Sequence, residues 1–209
     1  MAGISQALVL NIGTLSVEEI EAMLLAGAAA GAKGIPIVLD PVGAGATTFR
    51  TESALRLLRE LPITVLRGNR GEIGALVGSG EVRGVEATGS EDPLKVAKAA
   101  RDVFGVTVAV TGPTDVIVGP DRTYLVRNGS PLLAMITGSG CMATATIGIF
   151  ASAGDDPALQ TALGLATYGL AAERAAEGDP GPGTFRARLL DEVAALGAKG
   201  TGGVNISEP

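Results

Sequence analysis

Apolar residues in this chain fall into short unbroken runs, each closing on a turn signal, separated by longer stretches where apolar positions recur every three or four residues. The runs over 7–13, 36–43, 64–69 and 106–112 are continuous rather than alternating. That is the pattern of strands covered on both faces, as in a parallel sheet. The intervening stretches carry helix signals. Ser16 with Glu19 three residues on makes a capping box, followed by Val17, Ile20, Met23, Leu24 and Ala28 at helical spacing and a stop at Gly31 or Gly34. A second helix is predicted over 48–59 and a short one over 71–77. After a polar, glycine-containing connection comes a fourth, begun by Asp92-Pro93, running to Phe104 and ended by Gly105.

The remainder reads as a hairpin, 115–118 and 123–126 around Gly119-Pro120-Asp121-Arg122, and then three more helices. The first of these follows Ile136-Thr137-Gly138-Ser139-Gly140-Cys141-Met142. The second spans 157–177. Thr184 is expected to cap the last, which runs to Leu196, and 198–209 reads as a loose tail. Strands alternating with helices predict an α/β fold: one domain over residues 1–197, a mostly parallel sheet with helices on both faces, followed by a flexible tail.

Composition narrows the chemistry by exclusion. With 209 residues and 46% hydrophobic side chains the chain can bury a sizeable core, and the net charge of −6 argues against nucleic acid as a main partner. No run approaches the ~20 apolar residues of a membrane span. A single Cys excludes an intrachain disulfide and fits a reducing, cytoplasmic setting. The absence of His removes Ser-His-Asp and Cys-His catalysis and His-ligated zinc from this chain. There is no Gly-Lys pair for a Walker A loop, and Gly43-Ala44-Gly45 has Thr48 where a dinucleotide fingerprint needs glycine.

What remains polar sits at strand ends, where ligands bind in open α/β sheets. The candidates are Asp40 with Gly43-Ala44-Gly45, Asn69-Arg70-Gly71-Glu72, Thr111-Gly112, and the Gly138-Ser139-Gly140 turn. A helix start offers unpaired N–H groups and positive potential, so Gly138, Ser139 and Gly140 read as an anion hole. Cys141 lies at the first turn, where that potential favours a thiol's participation; the alternative is a buried core Cys after a glycine turn. An acidic, His-free site with an anion hole suits phosphoryl transfer with a divalent metal, which demands positioning and charge neutralisation above acid–base work. Asp40 and Glu72 are the candidate Mg²⁺ carboxylates, partly through water; the alternatives are a turn residue before Pro41 and a helix-start acid. Arg50, just past the Gly43 loop, could clamp a phosphate bidentately or be an ordinary solvated helix residue.

The blocks LNIGTL, VLDPVGAGATTFR, GNRGE, VAVTGPTDVIV, RNGSPLL and ITGSGC, in this order and spacing, resemble those of hydroxyethylthiazole kinase, a ribokinase-like enzyme of thiamine salvage. The resemblance implies ATP- and Mg²⁺-dependent phosphorylation of 4-methyl-5-(2-hydroxyethyl)thiazole. It puts ATP contacts on Arg50 and Thr111, a substrate contact on Gly138, and Cys141 where related sugar kinases carry an Asp base. Asn69 and Glu72 match the Asn-x-x-Glu element near Mg²⁺ and phosphate. A homotrimer with active sites between subunits is also implied. Two departures accompany it. Ser139 stands where Thr is common, and the family's opening segment, with its substrate-contacting Met, has no counterpart before Met1, so part of the alcohol pocket is expected to be missing. Another ribokinase-like small-alcohol kinase, an ATP-dependent dehydratase, and a truncated non-catalytic nucleotide-binding subunit are the alternative readings.

Overall fold

The computed structural model describes residues 1–79 and 92–209; the glycine-containing connection read before Asp92 lies outside the described residues. Among these, one sheet holds seven strands in sequence order: β1 Leu8–Asn11, β2 Ile37–Asp40, β3 Val65–Asn69, β4 Thr107–Thr111, β5 Asp115–Val118, β6 Thr123–Val126 and β7 Ile206–Ser207. β1 to β4 are mutually parallel, and β5, β6 and β7 continue the sheet antiparallel. The helices are α1 Val17–Gly31, α2 Thr48–Glu60, α3 Arg70–Ser79, α4 Pro93–Phe104, α5 Ser139–Ala151, α6 Pro157–Ala175 and α7 Pro182–Lys199.

Strand alternation sorts the core into two layers. Leu10, Leu39, Leu66, Val108 and Val110 point to the face covered by α1, α2, α3 and α4. Val38, Val65, Ala109, Ile117 and Val126 point to the other, under α5, α6 and α7. Parallel neighbours in sequence order put their crossover helices on one face, because each crossover is right-handed. The opposite face is thereby left to the last three helices. A Cβ on Gly164 would lie 3.1 Å from the Ile147 Cα, so this glycine lets α5 and α6 approach closely.

The helix ends follow local chemistry. Ser16 Oγ accepts the Glu19 N–H at 3.2 Å, Thr47 Oγ1 accepts the Arg50 N–H at 3.3 Å, and Asp92 Oδ1 accepts the Leu94 N–H at 3.0 Å. Gly105 closes α4 in the left-handed conformation, φ 71°.

Three departures from the sequence reading stand out. A 3₁₀ turn, Pro131–Met135, leads into the glycine turn, and α5 already begins at Ser139. α7 begins at Pro182 behind Gly181, not at Thr184, since proline at the first helical position is pre-set for helix entry. The segment read as a loose tail is fastened: α7 extends to Lys199, β7 pairs with β6, and the Arg127 N–H donates to the Asn205 carbonyl at 3.1 Å.

Candidate active site

One period beyond the apolar row on the α5–α6 face, the sheet turns polar. Counting by two from Val9, Val38 and Val65 reaches Asn11, Asp40 and Arg67. Asn11 is in register with Asp40, and the Leu39–Leu66 pair brings Asp40 beside Arg67. The Asp40 Oδ2 accepts from Thr144 Oγ1 at 2.7 Å and Asn11 Nδ2 at 3.1 Å, and lies 3.5 Å from Arg67 Nη1. Arg67 Nη2 donates to Thr111 Oγ1 at 2.7 Å. Asp40 is 1% exposed and Arg67 9%, so this is a buried ion pair extended by hydroxyls from α5 and β4. Burial pushes the Asp40 carboxyl above its usual range; Arg67 and Thr144 pull it back, and Glu72 adds to the rise. Among the described residues, Asp40 Oδ1 and Arg67 Nε find no hydrogen-bond partner.

The start of α5 sits over this network. Gly138 is its N-cap, at φ 89° and with no side-chain cap, so a residue with a Cβ would be strained there. A Cβ on Gly140 would stand 2.8 Å from Arg67 Nη1; glycine there lets the guanidinium lie directly under the helix start. Next to both opens a cavity of about 650 Å³. Its lining includes Arg67, Asn69, Thr111, Ser139 and Gly140, Asp115 beside Thr111, and also Arg127, Asn128, Gly129, Leu165 and Tyr168. Asp115 Oδ1 accepts the Gly112 N–H at 2.9 Å and so folds the turn after β4. Burial pushes its pKa up to about 6, against that hydrogen bond and the charge of Arg67. Tyr168 is pushed to about 12 by burial, and its hydroxyl finds no partner among the described residues.

Of the residues singled out in the sequence, Thr111, Asn69, Ser139 and Gly140 share this cavity, and Asp40 touches it through Arg67. Asn69 and Glu72 cap α3 reciprocally: Asn69 Oδ1 accepts the Glu72 N–H and Glu72 Oε2 accepts the Asn69 N–H, each at 2.9 Å. Glu72 Oε1 also accepts the Gly43 N–H at 2.8 Å, tying the loop after β2 to the site. Cys141 is exposed on the first turn of α5, outside the cavity wall, so the buried-core alternative for it does not hold.

Arg50 goes elsewhere. Its Nη1 donates to the Ile12 and Val42 carbonyls at 2.8 and 3.0 Å, and its Nη2 to the Gly13 carbonyl at 3.1 Å. The guanidinium that the sequence offered to ATP is spent on joining the ends of β1 and β2. The arginine facing the cavity is Arg67, which sequence reading passed over. A signal for it existed: a charge inside the run Val65-Leu66-Arg67-Gly68 must be buried, and buried charges are paired. Asp115 and Tyr168 were missed as well, Tyr168 because an aromatic on an apolar helix looks like core.

The model of the hydroxyethylthiazole kinase family matches residues 1–199. The chain belongs to the hydroxyethylthiazole kinase family. A hydroxyethylthiazole kinase of Methanosphaerula palustris is 50% identical over 198 residues, 94% of this chain and 75% of that protein. One from Rubrobacter xylanophilus is 52% identical, covering 94% and 74%. The solved hydroxyethylthiazole kinase of Pyrococcus horikoshii OT3 superposes with a TM-score of 0.88 at 38% identity, over 100% of this chain and 79% of that one. A ribokinase-like superfamily protein of Enterococcus faecalis V583, TM-score 0.63 at 14% identity, covering 91% of this chain and 64% of its own, shares the fold. The fold is therefore the α/β one expected from the strand–helix alternation, and its likeness to that protein agrees with the ribokinase-like fold that the resemblance implied.

Proposed function

We infer that the chain phosphorylates the hydroxyl of hydroxyethylthiazole, as an enzyme of thiamine salvage, with ATP as donor. The observation that carries the phosphate side is the cavity where Arg67, Thr111 and the uncapped start of α5 converge. Phosphoryl transfer through a loose transition state is served mainly by placing donors around the equatorial oxygens. Arg67 would supply a bidentate, charge-assisted contact, and the start of α5 at Gly138, Ser139 and Gly140 would form the anion hole. Thr111 would add its hydroxyl and Gly138 would meet the alcohol. Cys141, beside the anion hole, would lie next to the reacting hydroxyl.

Asp40 and Glu72 would hold Mg²⁺. They are close enough for Glu72 to raise the proton affinity of Asp40, and Asp40 Oδ1 is an orphaned buried acceptor, so a cation relieves both. Among the described residues no group of three or more metal-binding side chains occurs, so water and phosphate oxygens would complete the shell, as Mg²⁺ prefers. Mg²⁺ there would neutralise charge on the transferred phosphoryl group. A homotrimer is supported by the exposed stripe Cys141, Ala145 and Ile149 on α5, with Ile149 70% exposed; a second copy laid on it would close the alcohol side. Among the described residues no helix is long and apolar enough to cross a membrane, and the lone thiol supports a cytoplasmic setting. The test is ADP release with the thiazole alcohol against pyrimidine and sugar alcohols. A clear preference for the thiazole is expected; equal or greater turnover of the others would overturn the substrate assignment.

A further inference from the structure

Part of the cavity lining is made by Arg127, Asn128 and Gly129, just past β6, and neither Asn128 nor Gly129 belongs to a strand. Side chains hold them. Asn128 is 9% exposed, and its Nδ2 donates both to Glu173 Oε1 on α6, at 3.1 Å, and to the Gly203 carbonyl, at 3.0 Å. Its Oδ1 accepts the Asn205 N–H at 2.5 Å. Glu173 Oε1 also takes the Gly129 N–H at 2.9 Å, and Arg127 Nη1 donates to Ser207 Oγ at 2.7 Å. On the α6 side there is no slack: a Cβ on Gly169 would stand 2.5 Å from the Asn128 carbonyl oxygen. The wall is thus clamped between α6 and the segment 203–207, with Asn128 bonded to both.

A satisfied polar cluster of this kind costs little when complete and a great deal when one member is lost, because the others remain buried without partners. Its geometric consequence is positional. Arg127, Asn128 and Gly129 line the same cavity as Arg67 and Thr111, so the clamp holds part of the cavity's lining in place. We propose that Asn128 and Glu173 are positioning residues for nucleotide binding, using the segment 203–207 as a brace that sets this part of the cavity's lining. The proposal rests on the kinase reading, in which ATP occupies this cavity.

The experiment compares Asn128→Ala, Glu173→Ala, Glu173→Gln and Asn205→Pro, measuring ATP affinity by equilibrium dialysis, steady-state constants for ATP and the thiazole alcohol, and near-UV circular dichroism. Both bonds to Glu173 end on Oε1, so Glu173→Gln retains them and should behave as the unaltered protein. Asn128→Ala and Glu173→Ala should weaken ATP binding and raise its KM about tenfold, the scale of a lost hydrogen bond to a buried group, with the alcohol's KM within about twofold. Asn205→Pro removes the N–H given to Asn128 Oδ1 while leaving Asn128 and Glu173 in place, and should raise the ATP KM several-fold even if the alanine variants do not fold. Unchanged ATP affinity in folded variants overturns the proposal, as does a rise confined to the alcohol's KM or a failure of Glu173→Gln to match the unaltered protein. Unaltered protein that binds ATP but phosphorylates none of the alcohols overturns the kinase reading alone; if it binds no ATP, both fall.

Discussion

Two arginines, Arg50 on α2 and Arg67 in β3, do opposite work. At the corner between β1 and β2, Arg50 gives three hydrogen bonds to the carbonyls of Ile12, Gly13 and Val42. Those carbonyls have left the ladder, and the guanidinium replaces the strand partners they lost. Arg67, inside β3, has a buried carboxylate and two hydroxyls as partners, with one face under Gly140 and the cavity beside it. Arg50 completes the fold; Arg67 carries a positive charge to the cavity. The lesson is that an arginine next to a glycine loop is no better a phosphate ligand than one buried in a strand. What decides is which acceptors the backbone has left unpaired nearby.

The largest effect expected from this contrast is that of Arg67→Met. It leaves Asp40 buried without its counter-charge, a loss of about 3–5 kcal/mol of stability, and should weaken ATP binding by about tenfold to a hundredfold. Thermal melting and ATP KM measure the two separately. Adding Asp40→Asn should recover melting but not ATP binding, and a folded Arg67→Met protein with an ordinary ATP KM would break the comparison.

Arg50→Ala comes next. Losing charge-assisted bonds to half-buried carbonyls should cost about 2 kcal/mol of stability, visible as a lower denaturant midpoint, with the ATP KM within about twofold. A large rise in that KM without a change in stability would reverse the roles of the two arginines.

A third effect, read as a pH dependence of stability, concerns Asp115, which feels the charge of Arg67. Its carboxyl titrates near 3.8 when unfolded and near 6 in the fold, so between these values the native state binds more protons than the unfolded one. Stability from this group is therefore fully present below the lower value and is lost as the pH rises through the upper one. Asp115→Asn keeps an acceptor for the Gly112 N–H and removes the titration. Its melting temperature relative to the unaltered protein should climb as pH is raised from about 4 to about 7. A difference independent of pH would mean that Asp115 ionises freely.

Much of the site was legible because its signals are local. The Asn69–Glu72 cap, the proline behind Asp92 and the glycines before α5 each act within a few residues, so sequence spacing alone places them. Asp40 was found for the same reason, as the polar end of an apolar run. Arg67 and Arg50 could not be told apart this way, since their partners lie up to 77 residues distant along the chain. The exposure of Cys141 follows from which face of α5 packs on the sheet, and near-uniform small and apolar residues around that helix left its orientation open.

The sequence by itself determined the buried runs, the helix boundaries written in caps and glycines, the alternation that makes a parallel sheet, and a helix start suited to anions. These follow from periodicity and from backbone groups satisfied by neighbours in the chain. Only the tertiary structure decided which arginine meets the cavity, that the hairpin of β5 and β6 joins the sheet beside β4 and is extended by β7, and that 203–207 is bound to Asn128 instead of loose. Each of those depends on strand register and on a buried polar atom finding a partner far away in sequence. Such pairings become specific only once the sheet and its covering helices fix the distances between them.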